Sequence, residues 1–130
     1  MSKTIKLKND TYWATTSYGV ILYDSEAGNN GTITLNDSIT NYKYLDIYFR
    51  GFNNSNRGGH TQVLTLNSGF IISLNYVNAS KAYVYTSKYG MSEKTITPDT
   101  SLCNEYCITS ASFTSTGESK TYIQKVIGYR

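Results

Sequence analysis

The side chains best suited to chemistry sit in "NRGGHT", where Arg57 is followed by His60, the only histidine of the chain. An imidazole titrates near neutrality and can serve as a general base, but it then needs a nucleophile or an orienting partner at a defined spacing. No G-x-S-x-G elbow, H-E-x-x-H helix or phosphate-cradling glycine loop accompanies it. Asp24 and Glu26 in "YDSEAGNNG" could form a glycosidase pair, since that reaction needs only two acids at a set separation. They flank a turn sequence, where acidic residues are expected on local grounds. The expectation is a protein without enzymatic activity and without catalytic residues.

Cys103 and Cys107 stand four positions apart in "SLCNEYCITS". On an extended segment their Cα atoms would be about 13 Å apart, too far for a disulfide, so reduced and partly buried thiols are expected. Two cysteines and one distant histidine do not make a structural zinc site. No metal and no cofactor is expected.

What remains is binding. The stretch "KYLDIYFRGFNNSNRGGHTQVLTL", residues 43–66, sets a strand pattern beside an Asn/Gly-rich segment. Read as a long connection between Phe49 and Thr61, that segment offers donors and acceptors on Asn53, Asn54, Asn56, Arg57 and His60, at the end of a scaffold where loops carry recognition. In "KYLDIYFR" the period of a strand places Leu45, Ile47 and Phe49 on one face, the core face, and Tyr44, Asp46, Tyr48 and Arg50 on the other. Tyr44, Tyr48 and Arg50 join the candidate ligand-binding set.

The elements that must position these residues are strands almost throughout. "GVILYD", "GTITLN", "YLDIYFR", "TQVLTL", "GFIISLNY", "KAYVYTSKY", "EKTITP", "YCITSASF" and "TYIQKVIGY" are short, β-branched or aromatic, and separated by turn signals such as "SEAGNNG", "NNSNRGG" and "STGES". No window sustains a capped helical period. The pattern predicts an all-β, single-domain antiparallel β-sandwich, jelly-roll-like, over residues 19–130, preceded by an arm of the 18 least strand-like residues. "LNSG", 66–69, reads as a tight hairpin connection. Val126, Ile127 and Tyr129 read as the last core strand. Phe70, Ile72, Leu74 and Tyr76 share one face, as do Tyr83, Tyr85 and Tyr89.

Thirteen tyrosines against four phenylalanines favour rings whose hydroxyls stay in water or in a hydrogen bond. A tyrosine-rich sheet surface has three readings: plain decoration, a contact between subunits, or a platform on which a sugar stacks its apolar face. Composition narrows the partners. The formal charge of +3 is modest and only Lys3, Lys6 and Lys8 cluster, which points away from nucleic acid. No apolar run nears the about 18 residues of a membrane helix, so no membrane insertion is expected. The opening "MSKTIKLKND" has no apolar signal-peptide region, so synthesis in a cytoplasm is expected. The N-x-S/T triplets at Asn9, Asn30, Asn36, Asn53 and Asn78 then read as turn asparagines.

"IKLKNDTYW", "GVILYDSEAGNNGTITLNDSITNYKYLDIYFRG" and the closing "YIQKVIGYR" resemble a module of small structural proteins of tailed phages and prophages of Gram-positive bacteria, in particular the head of tail-fibre or receptor-binding proteins. The likeness covers roughly residues 5–50 and 120–130. It implies a β-rich virion tail protein, often a homotrimer, that contacts other tail proteins and recognises a bacterial surface glycan. It carries over no catalytic residues. A structural assembly protein without ligand and a free carbohydrate-binding module stand as alternatives.

Overall fold

In the computed structural model, residues 2–6, 13–17, 19–51, 54–77, 80–110, 112–117 and 121–130 are described. Among them the chain forms β1 (Ser2–Lys6), β2 (Trp13–Ser17), β3 (Val20–Asn29), β4 (Ile33–Thr34), a 3-10 turn (Ile39–Asn41), β5 (Tyr44–Gly51), β6 (Asn54–Leu64), β7 (Gly69–Val77), β8 (Ala82–Ser92), β9 (Thr95–Ile108), β10 (Phe113–Gly117) and β11 (Thr121–Tyr129). The architecture is the expected all-β sandwich. A four-stranded sheet in the order β3-β11-β5-β6 faces a five-stranded one in the order β10-β9-β8-β7, with β4 also pairing β9, and every pairing is antiparallel.

Alternation builds the core. Leu45, Ile47 and Phe49 of β5 are buried between the sheets, as are Ile72 and Leu74 of β7, Ile96 of β9, and Ile123 and Val126 of β11. Each fully buried aliphatic side chain contributes about 1.5–3 kcal/mol. The segment after β4 laces the layers together: the Leu35 and Ile39 amides donate to the carbonyls of Lys94 and Glu93 in the β8–β9 turn, and the Asn36 amide donates to Leu22 of β3. Beside it Tyr42 donates to the Asp37 carboxylate at 2.9 Å. Its ring lies where a Cβ on Gly128 would come within 2.6 Å, so the glycine lets β11 pass close under it.

Several expectations change. The first 18 residues, read as the least strand-like, contain the antiparallel pair β1–β2. Most of "EKTITP" and the first three residues of "YCITSASF" belong to one long strand, β9, while Phe113 at the end of the second stretch starts β10. Pro98 is tolerated in β9 because it sits where β9 pairs only β8 and its missing amide disturbs no second neighbour. "LNSG" is a tight turn, with the Asn67 amide donating to Leu64, but it carries the chain from the β6 sheet to the β7 sheet rather than closing a hairpin. Tyr85 and Tyr89 do share a face, but it is the core face, where they are 7% and 1% exposed. Their rings fill the sandwich and make no wet surface. Cys103 and Cys107 are free thiols and buried.

Candidate functional site

The outer face of the four-stranded sheet collects the polar and aromatic side chains of the candidate set. On β5 these are Tyr44, Asp46, Tyr48 and Arg50, alternating with the buried Leu45, Ile47 and Phe49. The ladder sets Tyr44 opposite Tyr129 and Leu64, Asp46 opposite Ile127 and Gln62, Tyr48 opposite Lys125 and His60, and Arg50 opposite Tyr122 and Gly58. Cross-strand neighbours of this kind are close enough for rings to meet.

They do meet. Tyr48 and His60 stack with ring centroids 5.2 Å apart and 21° between planes. Tyr44 and Tyr129 stack at 4.9 Å and 14°. Four residues of strand separate the two stacks, about 13 Å. Between them lies Asp46, directly across the ladder from Ile127 and close enough for its charge to act on the Tyr129 hydroxyl. Partial burial, followed by the charge of Asp46, raises the pKa of Tyr129 above the ordinary tyrosine value and keeps it a neutral donor. At the other end the Arg50 guanidinium lies 4.0 Å from the centre of the Tyr122 ring, donates from Nε to the Ala27 carbonyl at 2.8 Å, and from Nη1 to the Gly51 carbonyl at 3.2 Å. Arg50 thus ties β5 to the end of β3 and holds Tyr122 in place.

Beside Tyr48 the face hollows into an open depression of about 500 Å³ lined by Asp24, Ser25, Glu26, Tyr48, Gln124, Lys125 and Ile127. Gln124 donates to the Glu26 carbonyl at 2.7 Å and so fastens β11 to β3 across its floor. Asp24 and Glu26 are exposed at the rim. The arrangement offers flat rings, an apolar side chain at Ile127, and carboxylate, ammonium and amide groups around it. Among the described residues no group of three His, Cys, Asp or Glu could hold a metal ion.

The structure brings Tyr44, Tyr48, Arg50 and His60 onto one face, but not as a loop site. The long connection expected between Phe49 and Thr61 is the β5–β6 hairpin, with β6 starting at Asn54 and His60 inside the strand. Turn composition misled here because the glycines permit close backbone approach: a Cβ on Gly58 would stand 2.6 Å from the Phe49 carbonyl oxygen. Asn53 lies outside the described residues. Asn54, Asn56 and Arg57 belong to β6, and their side chains lie outside what is described.

Sequence reasoning missed the contribution of β11. It read Ile127 and Tyr129 as core beside Val126. Val126 is buried, but a register shift between Ile123 and Lys125 breaks strict alternation and turns Ile127 and Tyr129 to the outer face. Two residues then oppose one on β5, so Tyr122, Lys125, Ile127 and Tyr129 all join the site. The Gln-Lys pair between apolar residues was the available signal. No protein-family model matches the chain, and a search of curated proteins returns no significant match.

Proposed function

We propose that this protein is a non-catalytic recognition module that binds a saccharide on the outer face of the four-stranded sheet, serving as a tail-associated structural protein of a phage or prophage that recognises a bacterial surface glycan. The single observation that carries the binding reading is the Tyr48–His60 stack at the edge of the 500 Å³ depression. A pyranose ring presents an apolar face that lies against such a stack, and a rim of hydroxyls that Asp24, Glu26, Gln62 and Lys125 can meet. The depression falls within the size range of ligand sites, and its aromatic wall rests on strands rather than loops. The tail association rests on the sequence resemblance alone.

A glycan array of bacterial surface polysaccharides, probed with the whole chain, tests the reading. One saccharide class should bind, and Tyr48→Ala should weaken it by roughly thirtyfold, the loss of an aromatic anchor worth about 2 kcal/mol. No binding on the array, or binding indifferent to both Tyr44→Ala and Tyr48→Ala, would sink it. Cleavage of any bound glycan would overturn the non-catalytic part.

A second reading, a subunit contact in a homotrimer of structural proteins, is favoured by one feature. Ile21 and Leu64 are 49% and 56% exposed on strands flanking the aromatic face. Under that reading Tyr48→Ala changes the sedimenting mass instead of glycan binding.

A further inference from the structure

The sandwich exposes four long margins, and three of them are guarded against pairing with another chain. β3 carries Asp24 and Glu26 and is irregular in register against β11. β6 has a register shift at its start, opposite Arg50 and Gly51 of β5. β10 is five residues long and bulged near Ser115, and the stretch of β9 beyond it holds Pro98 and Asp99. Charges, prolines, bulges and shortness are the devices by which sheet edges avoid one another.

β7 has none of them. Gly69–Val77, "GFIISLNYV", contains no charged residue and no proline, and pairs β8 over nine consecutive positions with no register shift. It ends its sheet, so among the described residues the backbone groups that point away from β8 meet no strand. Ile71 and Val77 stand 64% and 74% exposed on its outer side.

We propose that the β7 edge is a docking surface for β7 of a second copy of this chain, joining two five-stranded sheets into one continuous antiparallel sheet across a two-fold axis. The occupant follows from self-complementarity. A two-fold interface sets the same surface against itself, so a charged strand would repel its own copy, and this strand is neutral. An antiparallel pairing centred on Ser73 sets Gly69 against Val77, Ile71 against Asn75 and Ile72 against Leu74 of the other copy. Small meets large at the ends, and the apolar residues of the core side continue across the joint. Strand addition supplies main-chain hydrogen bonds, and the exposed Ile71 and Val77 supply apolar area beside it. The aromatic face lies on the other sheet and stays open to its ligand, so this interface is independent of the saccharide reading.

The experiment is sedimentation of the whole chain over a concentration series, with far-UV circular dichroism and thermal unfolding as controls of the fold. The wild type should be a dimer at high concentration. Ser73 is exposed, and Ser73→Lys places like charges opposite each other at the axis, which should weaken association at least tenfold without altering the spectrum. Ser73→Asp should do the same, and an equimolar mixture of the two variants should restore the dimer. A monomeric wild type, a trimer, or a dimer insensitive to both substitutions would overturn the proposal. Failure of the mixture to re-form a dimer would overturn the Ser73-centred register and with it the proposal.

Discussion

At the scale of single residues, the tyrosines divide into two chemistries that share a side chain. Tyr89 is 1% exposed, stacks on Phe70 at 5.2 Å, and reaches across the sandwich to share a hydrogen bond with the Thr121 hydroxyl at 2.5 Å and to donate to the Thr121 carbonyl at 3.2 Å. This buried bond joins β8 of one sheet to β11 of the other. Burial pushes the Tyr89 pKa up to about 12, with the hydrogen bond from Thr121 opposing the shift and Cys103 adding to it. A raised folded-state pKa means that folding favours the neutral phenol. Its contribution is complete below the ordinary tyrosine value of about 10, and is lost as pH rises from there through about 12. Tyr89→Phe should cost about 1–2 kcal/mol at neutral pH, because it strands buried polar atoms of Thr121. It should also make the alkaline fall in stability shallower by one ionisation, which denaturant unfolding of both proteins across that pH range would measure. Tyr48 belongs to the second class. At 36% exposure its removal should change stability by only about 0.5 kcal/mol, so any loss of binding in Tyr48→Ala reports on the site and not on the fold.

At the scale of elements, β5 is where core and site share one strand. Its buried side anchors the sandwich and its outer side holds Tyr44, Asp46, Tyr48 and Arg50 in register with β11 and β6. Phe49 is 5% exposed, and Phe49→Ala should destabilise by roughly 3–5 kcal/mol in chemical unfolding, with a share coming from the gap left beside Gly59, whose Cα hydrogens face the Phe49 ring. A change under about 1 kcal/mol would mean that the strand is faced the wrong way. The alternation of "YLDIYFR" was legible in the sequence because each face of that strand meets one environment along its whole length. In "TYIQKVIGY" it was not, because one bulge exchanges the faces midway, and the adjacent Gln124 and Lys125 are the only trace of that slip in the side chains.

At the scale of the molecule, the last strand in the sequence lies between β3 and β5, near the middle of its sheet. β3 and β5 touch no common partner until β11 arrives, so the four-stranded sheet closes only through contacts distant in sequence, such as Val126 with Tyr23 and with Ile47. Such long-range pairing makes loop closure costly before any reward is collected. Refolding should therefore take milliseconds to seconds, roughly, as for other all-β sandwiches. Stopped-flow fluorescence would show it, and microsecond refolding would contradict a late-docking β11.

The sequence by itself determined the fold class, the core faces of β5 and β7, the free state of the cysteines, and that Tyr44, Tyr48 and Arg50 stand together opposite the core. All of these follow from period and composition, which act within one strand. Tertiary structure alone decided which tyrosines are buried and which lie on the outer face, that His60 lies in a strand against Tyr48, that β11 completes the face, and that β7 ends its sheet among the described residues. These depend on which strands become neighbours. Neighbour choice is set by the packing of whole sheets, where a glycine that signals a turn locally can instead admit a backbone passing close by.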